Sequence, residues 1–280
     1  MNSMYVKNFF VCLVLAASSC SKSSFQAAGA RKESNKAENK KSTSTSAENE
    51  TIADAEGGMS IECRKTGKGK IIVSNDEWAF SETGMAAAPD ALQYGKNVAL
   101  WLGGCEGRAN GKFHAYSTNF SLTASTTLAT AFSSAGHTWT TGFALELTSE
   151  SFAKYDWIFL AGAVPDAAKL APLLVEFVEK GGGLYISGGT GQPNNAATEA
   201  GFWNPIITKF GIQYASTYNK IQGNMVIDET SHPIFKNVRS LYQNNGSSLS
   251  LVAPLSVKTK IYVSQGNQGL YAIFDGSVGD

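Results

Sequence analysis

The fold is decided by residues 157–191, which read WIFLAGAVPDAAKLAPLLVEFVEKGGGLYISGGTG. The stretch opens with Trp157–Ala161, a continuous apolar run, and a second such run, Leu184–Ser187, closes it. Apolar runs without alternation are typical of parallel strands that are buried on both faces. Between them, Asp166–Lys180 carries apolar residues at helical spacing and ends at a run of glycines. The stretch therefore predicts a strand–helix–strand unit with parallel strands.

The same alternation extends over residues 59–280, which we expect to form a single domain. The other predicted strands are Lys70–Ser74, Lys112–Ser117, Met225–Asp228, Lys258–Ser264 and Leu270–Phe274. The other predicted helices are Asp90–Leu102 (or a helix running into a strand), Ser125–Ala135 before Gly136, and Ala196–Phe210 before Gly211. Together these segments predict an α/β fold, with a mostly parallel sheet that has helices on both faces.

The charge balance excludes one class of function. The chain has 23 basic and 23 acidic side chains, a formal net charge of zero and a pI of about 6.8. A nucleic-acid-binding domain normally shows a basic stripe, so no nucleic-acid partner is expected. No run of 18 or more apolar residues is present either, so the sequence predicts no ordinary transmembrane helix.

Residues 1–19 are predicted to be a signal peptide. Lys7 precedes the apolar run Phe9–Ala17, which is too short to cross a bilayer and has the length of a signal-peptide core. Small residues follow, and Cys20 comes directly after them. The arrangement resembles a bacterial lipoprotein signal, although Ala17 stands where leucine is commoner. The other interpretation is an ordinary secretory signal in which Cys20 has no special role.

The lipoprotein resemblance implies a cellular location. In that family the signal peptidase cuts before the cysteine, so the Cys20 thiol would carry a diacylglycerol and the new N-terminus a further acyl chain such as palmitate. Several acyl chains together give stable membrane anchoring. The resemblance thus implies a bacterial cell-envelope protein whose membrane contact is its N-terminal lipid. Ser21 after the cysteine favours the outer membrane, with the domain facing the periplasm or the cell surface.

Residues 20–58 are predicted to be a disordered linker that follows the lipidated cysteine. Lys, Glu, Ser, Thr, Asn and Ala dominate this stretch, and Phe25 and Ile52 are its only large apolar residues. Such a segment buries too little apolar surface to offset the entropy lost on ordering. The linker would hold the domain away from the membrane.

Two cysteines remain after the expected processing. Cys12 leaves with the signal peptide and Cys20 is lipidated, which leaves Cys63 and Cys105. In an oxidising envelope compartment these two most simply form a disulfide bond. No CxxC or HxxxH spacing accompanies them, so no metal site is expected.

Ligands of an open parallel sheet bind at the carboxyl ends of its strands, which places the candidate site. Polar, aromatic and glycine residues follow the predicted strands there. They are Asp76, Glu77, Trp78, Asn119, Gly188, Gly189, Thr190, Gly191, Gln192, Asn194 and His232. Carboxylates and amides exchange hydrogen bonds with hydroxyl groups and Trp78 offers a stacking face, so the set suits a sugar or another polar small molecule. The amide-rich stretch Gln243–Gly246 adds weak support.

The glycine-rich segment 188–195 has two interpretations. Its backbone N–H groups could face an anion or a carbonyl, or the turn could simply require positive φ. A dinucleotide fingerprint would need glycine at position 194, where the chain has Asn194, and no Walker sequence follows. No cofactor is therefore expected.

The order of these motifs resembles the class I glutamine-amidotransferase-like superfamily, which has a flavodoxin-like α/β fold. The resemblance rests on Asp76–Trp78, Tyr155–Gly162, Gly181–Gly191 and His232–Phe235, and it is nearest to uncharacterised envelope branches. Members carry a GxCxG turn, but here Gly189 occupies the nucleophile position in one frame. In the shifted frame Thr190 does, with Gln192 in place of the last glycine. The family's His-x-Glu pair is absent too, so the resemblance implies a domain that has lost thiol chemistry.

Three functions are left open by the sequence. The first is a catalytically degenerate, lipid-anchored domain that binds a polar small molecule or carbohydrate. The second is a hydrolase that uses Thr190 or an activated water, with His232 as base and Asp76 or Glu199 as its partner. The third is a structural or assembly lipoprotein whose strand-end crevice has no role.

Overall fold

The computed structural model describes residues 69–103, 110–117, 125–142, 146–162, 166–189, 196–228 and 232–279. All of them fall within one compact unit of the chain. The predicted signal peptide, Cys20, the linker and the Cys63–Cys105 disulfide lie outside the described residues, as do five candidate site residues. These five are Asn119, Thr190, Gly191, Gln192 and Asn194.

A nine-stranded sheet forms the centre of the described structure, in the order β3-β2-β4-β5-β1-β11-β9-β6, with β10 paired to β11. The strands of its first half are β1 (Lys70–Ser74), β2 (Lys112–Ser117), β3 (Thr138–Gly142), β4 (Trp157–Ala161) and β5 (Gly183–Ser187). These five pair parallel with one another, as the continuous apolar runs of β4 and β5 predict.

The second half of the sheet is antiparallel, so the sheet is mixed. Its strands are β6 (Ile212–Tyr218), β9 (Ser247–Leu251), β10 (Thr259–Gln265) and β11 (Gln268–Asp275). β11 pairs antiparallel with β1, β9 and β10. The reason is connectivity: β10 and β11 are joined by a tight turn containing Gly266 at φ 56°, and a tight turn permits only antiparallel pairing. A separate two-stranded sheet contains β7 (Gln222–Val226) and β8 (Ser240–Asn244).

Helices cover both faces of the parallel half. They are α1 (Glu82–Ala87), α2 (Asp90–Gly103), α3 (Thr126–Ser134), α4 (Ser149–Phe152), α5 (Ala167–Glu179) and α6 (Ala196–Ile207). Ile72 faces the core that contains Tyr94 of α2 and Phe132 of α3. Its neighbours on β1, Ile71 and Val73, face the opposite core, which contains helices α5 and α6. The predicted two-sided α/β arrangement is therefore present. Among the described residues, no helix has the length and apolar character needed to span a membrane.

The chain leaves the carboxyl ends of β1 and β5 towards opposite faces of the sheet. After β1 the chain enters α1 and α2 on one face, whereas α6 after β5 packs on the other. The two strands are neighbours in register, with Ser74 opposite Ser187. The Ser74 hydroxyl donates to Ser187 Oγ at 3.1 Å, which marks the level where both strands end. Such a reversal point is where open α/β sheets place their ligands.

Candidate functional site

The residues that follow β1 are buried despite their polarity. Asn75 and Asp76 have no exposed surface, and Glu77 is 1% exposed. Polar groups are buried at this level only when they are bonded or have a function, because burial without a partner is costly. Two of the sequence-predicted site residues, Asp76 and Glu77, therefore lie in the interior, just beyond the carboxyl end of β1.

The Asp76 carboxylate is held by two backbone N–H groups. The N–H of Trp78 donates to Oδ1 at 2.6 Å, and the N–H of Asn244 on β8 donates to Oδ2 at 2.5 Å. The pKa of Asp76 is nevertheless raised to about 7, mainly because the carboxyl group is buried and in smaller part because the charge of Glu199 lies nearby. The two hydrogen bonds act in the other direction, because they stabilise the charged form.

Glu199 on α6 brings a second carboxylate to the same place. It is 6% exposed, and its Oε2 accepts from the N–H of Gly189 at 2.8 Å. The Gly189 N–H thus binds the protein's own side chain, and contact of this turn with a ligand anion or carbonyl stays a prediction. The requirement for positive φ is met at Gly189, whose φ of 71° favours glycine.

Three glycines bring two segments of the chain against Asn75. A Cβ at Gly246 would lie 2.1 Å from the Asn75 carbonyl oxygen, and one at Gly188 would lie 3.0 Å from it. A Cβ at Gly189 would lie 2.9 Å from the Cα of Gly246. The turn after β5 and the β8–β9 turn can therefore meet over Asn75 only because all three positions lack side chains.

Several buried polar atoms around Asn75 have no hydrogen-bond partner within the described part of the chain. Both amide atoms of Asn75 are among them. The others are Gln243 Oε1, Ser247 Oγ, Asn219 Nδ2 and Tyr218 Oη. Ser247 is tied to this point because its N–H donates to the Asn75 carbonyl at 2.9 Å, and Tyr218 pairs with Ser247 across the β6–β9 ladder. We call Asn75, Asp76, Glu199, Gln243 and Ser247 the strand-end site.

The strand-end site is acidic and amide-rich. Its carboxyl groups come from the residue pair after β1 and from α6, and residues 184–203 contain no lysine or arginine in the sequence. Unsatisfied amide and hydroxyl atoms can both donate and accept hydrogen bonds. A ligand with several hydroxyl or amide groups would satisfy such atoms, whereas an anion would meet the acidic groups.

Trp78 forms an aromatic wall beside the strand-end site. Its ring lies 6.3 Å from the ring of Tyr242, centroid to centroid, and both side chains are half-buried. The backbone N–H of the same Trp78 binds Asp76. The predicted stacking face is therefore next to the predicted carboxylate.

His232 does not join the strand-end site, although we expected it at the same edge of the sheet. Its ring contacts Trp101, 4.8 Å away, and Tyr262, 4.6 Å away. Lys70 and Asp275, which influence its pKa, pair with each other at the amino end of β1. The expectation failed because the strand before His232, β7, pairs only with β8 and is not part of the parallel sheet.

Metal binding was not expected, and the described residues contain no group of three or more His, Cys, Asp or Glu that could hold a metal ion.

Comparison with protein-family models, with curated proteins and with solved structures found no match to this chain. The functional argument therefore rests on the geometry of the site.

Sequence reasoning missed Asn75, Gln243 and Ser247 as site residues. Asn75 directly precedes Asp76, and its position at the end of a buried strand was a usable signal. Gln243 and Ser247 flank the amide-rich turn that the sequence singled out, but the sequence does not show which strand end this turn meets. Glu199 was named only as a partner for the hydrolase hypothesis.

Proposed function

We propose that this protein binds a polar, uncharged or weakly basic small molecule, such as a carbohydrate, at the strand-end site. The observation that carries the proposal is the Asn75 side chain, which is fully buried with both amide atoms unbonded in the described structure. Leaving a buried donor or acceptor unpaired costs about 1–3 kcal/mol, so such groups call for an explanation. A ligand that accepts from Nδ2 and donates to Oδ1 supplies one.

The surroundings of Asn75 fit the same ligand class. Asp76 keeps its proton to about pH 7 and can donate a hydrogen bond as well as accept one. Trp78 and Tyr242 provide aromatic faces at the same strand end, on which the apolar face of a sugar ring can pack. The site is thus built of groups that recognise hydroxyl and amide functions.

The resemblance to the amidotransferase-like superfamily is part of this proposal. The buried strand β5, the glycine turn after it and helix α6 have the order of that family's nucleophile elbow. In one frame the thiol position is Gly189, whose N–H binds Glu199. We infer a domain of that fold in which the strand-end crevice serves binding in place of glutamine hydrolysis.

The hydrolase alternative gains no support from the structure, because the base it names, His232, lies at the amino end of β1.

We further propose that the domain belongs to a lipid-anchored protein of the bacterial envelope, attached through Cys20. This part rests on the sequence of residues 1–21.

Ligand binding is tested by a thermal-shift screen of the chain from residue 20, carrying Cys20→Ser, against sugars, cell-wall fragments, amino acids and nucleotides. A ligand at 100 times its Kd should stabilise the protein by about 2.7 kcal/mol, which moves Tm visibly. We expect hits among sugars or other polyhydroxylated compounds, and we expect Asn75→Leu to lose them. His232→Asn should keep them, since His232 lies at the other edge. A screen without hits, or a hit that survives Asn75→Leu and is lost in His232→Asn, contradicts the proposal.

The anchor is tested separately by growing a bacterial host with a radiolabelled or alkyne-tagged palmitate. The wild-type chain should incorporate label and fractionate with membranes, and Cys20→Ala should lose both properties. Cys12→Ala is the matched control, because Cys12 belongs to the expected signal peptide. Equal labelling of the Cys20→Ala variant would show that the protein is not a lipoprotein of this type.

A further inference from the structure

Exposed large hydrophobic side chains gather at the edge of the sheet opposite the strand-end site. The most exposed in the described residues are Leu255 and Val257, at 73% and 72%, followed by Val226 at 71%, Leu100 at 50% and Val278 at 41%. Scattered exposure of single apolar residues is normal, so what matters is where these residues lie.

Leu255 and Val257 project from the loop between β9 and β10, which lies at the amino end of β1. The carbonyl of Lys258 accepts from the N–H of Asp275, and Asp275 pairs with Lys70, the first residue of β1. Thr259, the next residue, donates its hydroxyl to the carbonyl of Phe210 at 2.7 Å. The strand-end site thus lies at the carboxyl end of β1, and this loop lies at the amino end.

Two further exposed residues share this edge. Val278 belongs to the turn in which its own N–H donates to the carbonyl of Asp275. Leu100 lies in the last turn of α2, next to Trp101, whose carbonyl accepts from the Lys70 ammonium at 3.0 Å. We call Leu100, Leu255, Val257 and Val278 the amino-edge surface. Val226 on β7 is the exception and lies in the separate two-stranded sheet.

Lysines flank the apolar loop. Lys258 and Lys260 follow it directly, and the exposed Lys209 precedes Phe210, whose carbonyl binds Thr259. Two acidic residues lie at the same end: Asp275, which pairs with Lys70, and Glu179, which follows Val178, whose carbonyl lies against Gly69. Exposed apolar side chains flanked by lysines fit the interface of a bilayer. The apolar side chains can pack among the acyl chains, and the anionic head groups attract the lysines.

The chain also enters the domain at this edge. The carbonyl of Gly69 accepts from the N–H of Gly276, so the covalent connection to residue 68 and to Cys20 leaves from beside the amino-edge surface. A lipid on Cys20 would keep the domain at a high effective concentration near one bilayer. A surface that binds a membrane only weakly, but measurably, on its own can then set the orientation of the domain.

We propose that the amino-edge surface rests on the bilayer that carries the lipid anchor, with Leu255 and Val257 inserted at the level of the head groups. The inference builds on the proposed lipid anchoring and adds an orientation to it. The strand-end site, at the opposite end of β1, then faces away from the membrane. A soluble ligand reaches it without approaching the bilayer.

The test is co-sedimentation of the chain from residue 20, carrying Cys20→Ser, with vesicles of phosphatidylglycerol and phosphatidylethanolamine. The wild-type surface should bind these vesicles, more weakly in high salt and on pure phosphatidylcholine. Leu255→Ser together with Val257→Ser should lower the partition coefficient by about tenfold, since both inserted side chains are lost. Val226→Ser, equally exposed on the other sheet, is the matched control and should bind as the wild type does.

Absence of vesicle binding by the wild type, or equal binding by the double variant, overturns the proposal. So does a change from dimer to monomer in the double variant without vesicles, since the surface would then be an interface between copies of this chain. Because the tested chain carries no lipid, these outcomes do not depend on palmitate labelling. They do not depend on the ligand screen either, so each proposal can fail alone.

Discussion

Asp76→Asn is expected to lower the free energy of unfolding much less at pH 7 than at pH 4. The difference between wild type and variant should fall by about 3 kcal/mol over this range, because each pH unit changes it by about 1.4 kcal/mol. At pH 4 the variant should be less stable than the wild type by about 1–3 kcal/mol. Asparagine has one acceptor oxygen, whereas Asp76 accepts from two backbone N–H groups. The N–H of Trp78 or of Asn244 then loses its partner.

The direction of this pH dependence follows from the number of protons bound by the folded and the unfolded chain. The pKa of Asp76 is about 7 in the folded state and near its ordinary value of 3.8 in the unfolded chain, because burial disfavours the folded carboxylate. Between these values the unfolded chain has released the proton and the folded chain has kept it, so rising pH favours unfolding of the wild type. The asparagine variant has no such proton, and its relative stability therefore improves as pH rises.

Chemical denaturation of both proteins at several pH values between 4 and 8 checks this prediction. Burial also lowers the pKa of His232 to about 4, which makes stability rise with pH in the same range. Both proteins contain His232, so its contribution cancels from the difference between them. A difference that stays constant from pH 4 to pH 7 would show that folded Asp76 titrates like an exposed carboxyl group.

Gly246→Ala is expected to destabilise the protein by about 3 kcal/mol or more, because overpacking against backbone cannot relax by rotating a side chain. A Cβ at this position would lie 2.1 Å from the Asn75 carbonyl oxygen and 2.6 Å from Asn75 Nδ2. The β8–β9 turn would have to move away from β1, and the bond between the Asn244 N–H and Asp76 would lengthen. Urea denaturation measures the loss.

Gly201→Ala is the matched control for this substitution. Gly201 lies in α6, and a Cβ there meets nothing within 4 Å. Alanine is the better helix former, so this variant should be unchanged or more stable by up to about 1 kcal/mol. Equal stability of the Gly246→Ala variant and the wild type would show that the turn does not press on Asn75.

Four strands of the parallel half, β1, β2, β4 and β5, could be predicted from the sequence because they are buried on both faces. β1, β2 and β4 have the predicted bounds. The helices α3 and α5 were predicted within one or two residues, since apolar spacing and terminal glycines mark them. β10 and β11 also lie within two residues of the predicted Lys258–Ser264 and Leu270–Phe274. Elements of this kind can be predicted from the sequence because consecutive residues carry the apolar pattern.

Four other strands, β3, β6, β8 and β9, could not be predicted, for the opposite reason. β3 is a half-exposed edge strand with the sequence TWTTG, which carries little apolar signal. β6, β8 and β9 contain many Ser, Asn, Gln and Tyr residues and alternate between buried and exposed positions. Whether such a segment pairs depends on distant partners, and the sequence around it does not specify them.

The same limit applies to the site. Asp76, Glu77 and Gly189 could be predicted because each directly follows a recognisable strand. Ser247 binds Asn75, and Gln243 lies beside Asn244, which binds Asp76; both are placed by pairing of β9 and β8 with distant strands, which local patterns do not reveal. His232 was misplaced because the strand before it was assigned to the wrong sheet.

The measurement that tests the central claim most directly is the unfolding free energy of Asn75→Leu in the absence of any ligand. If the buried amide is kept for a ligand, leucine of similar size removes an unpaired polar group, and the variant should be more stable than the wild type by about 1–2 kcal/mol. A clear loss of stability in Asn75→Leu would contradict the account, because it would mean that the amide serves the fold itself.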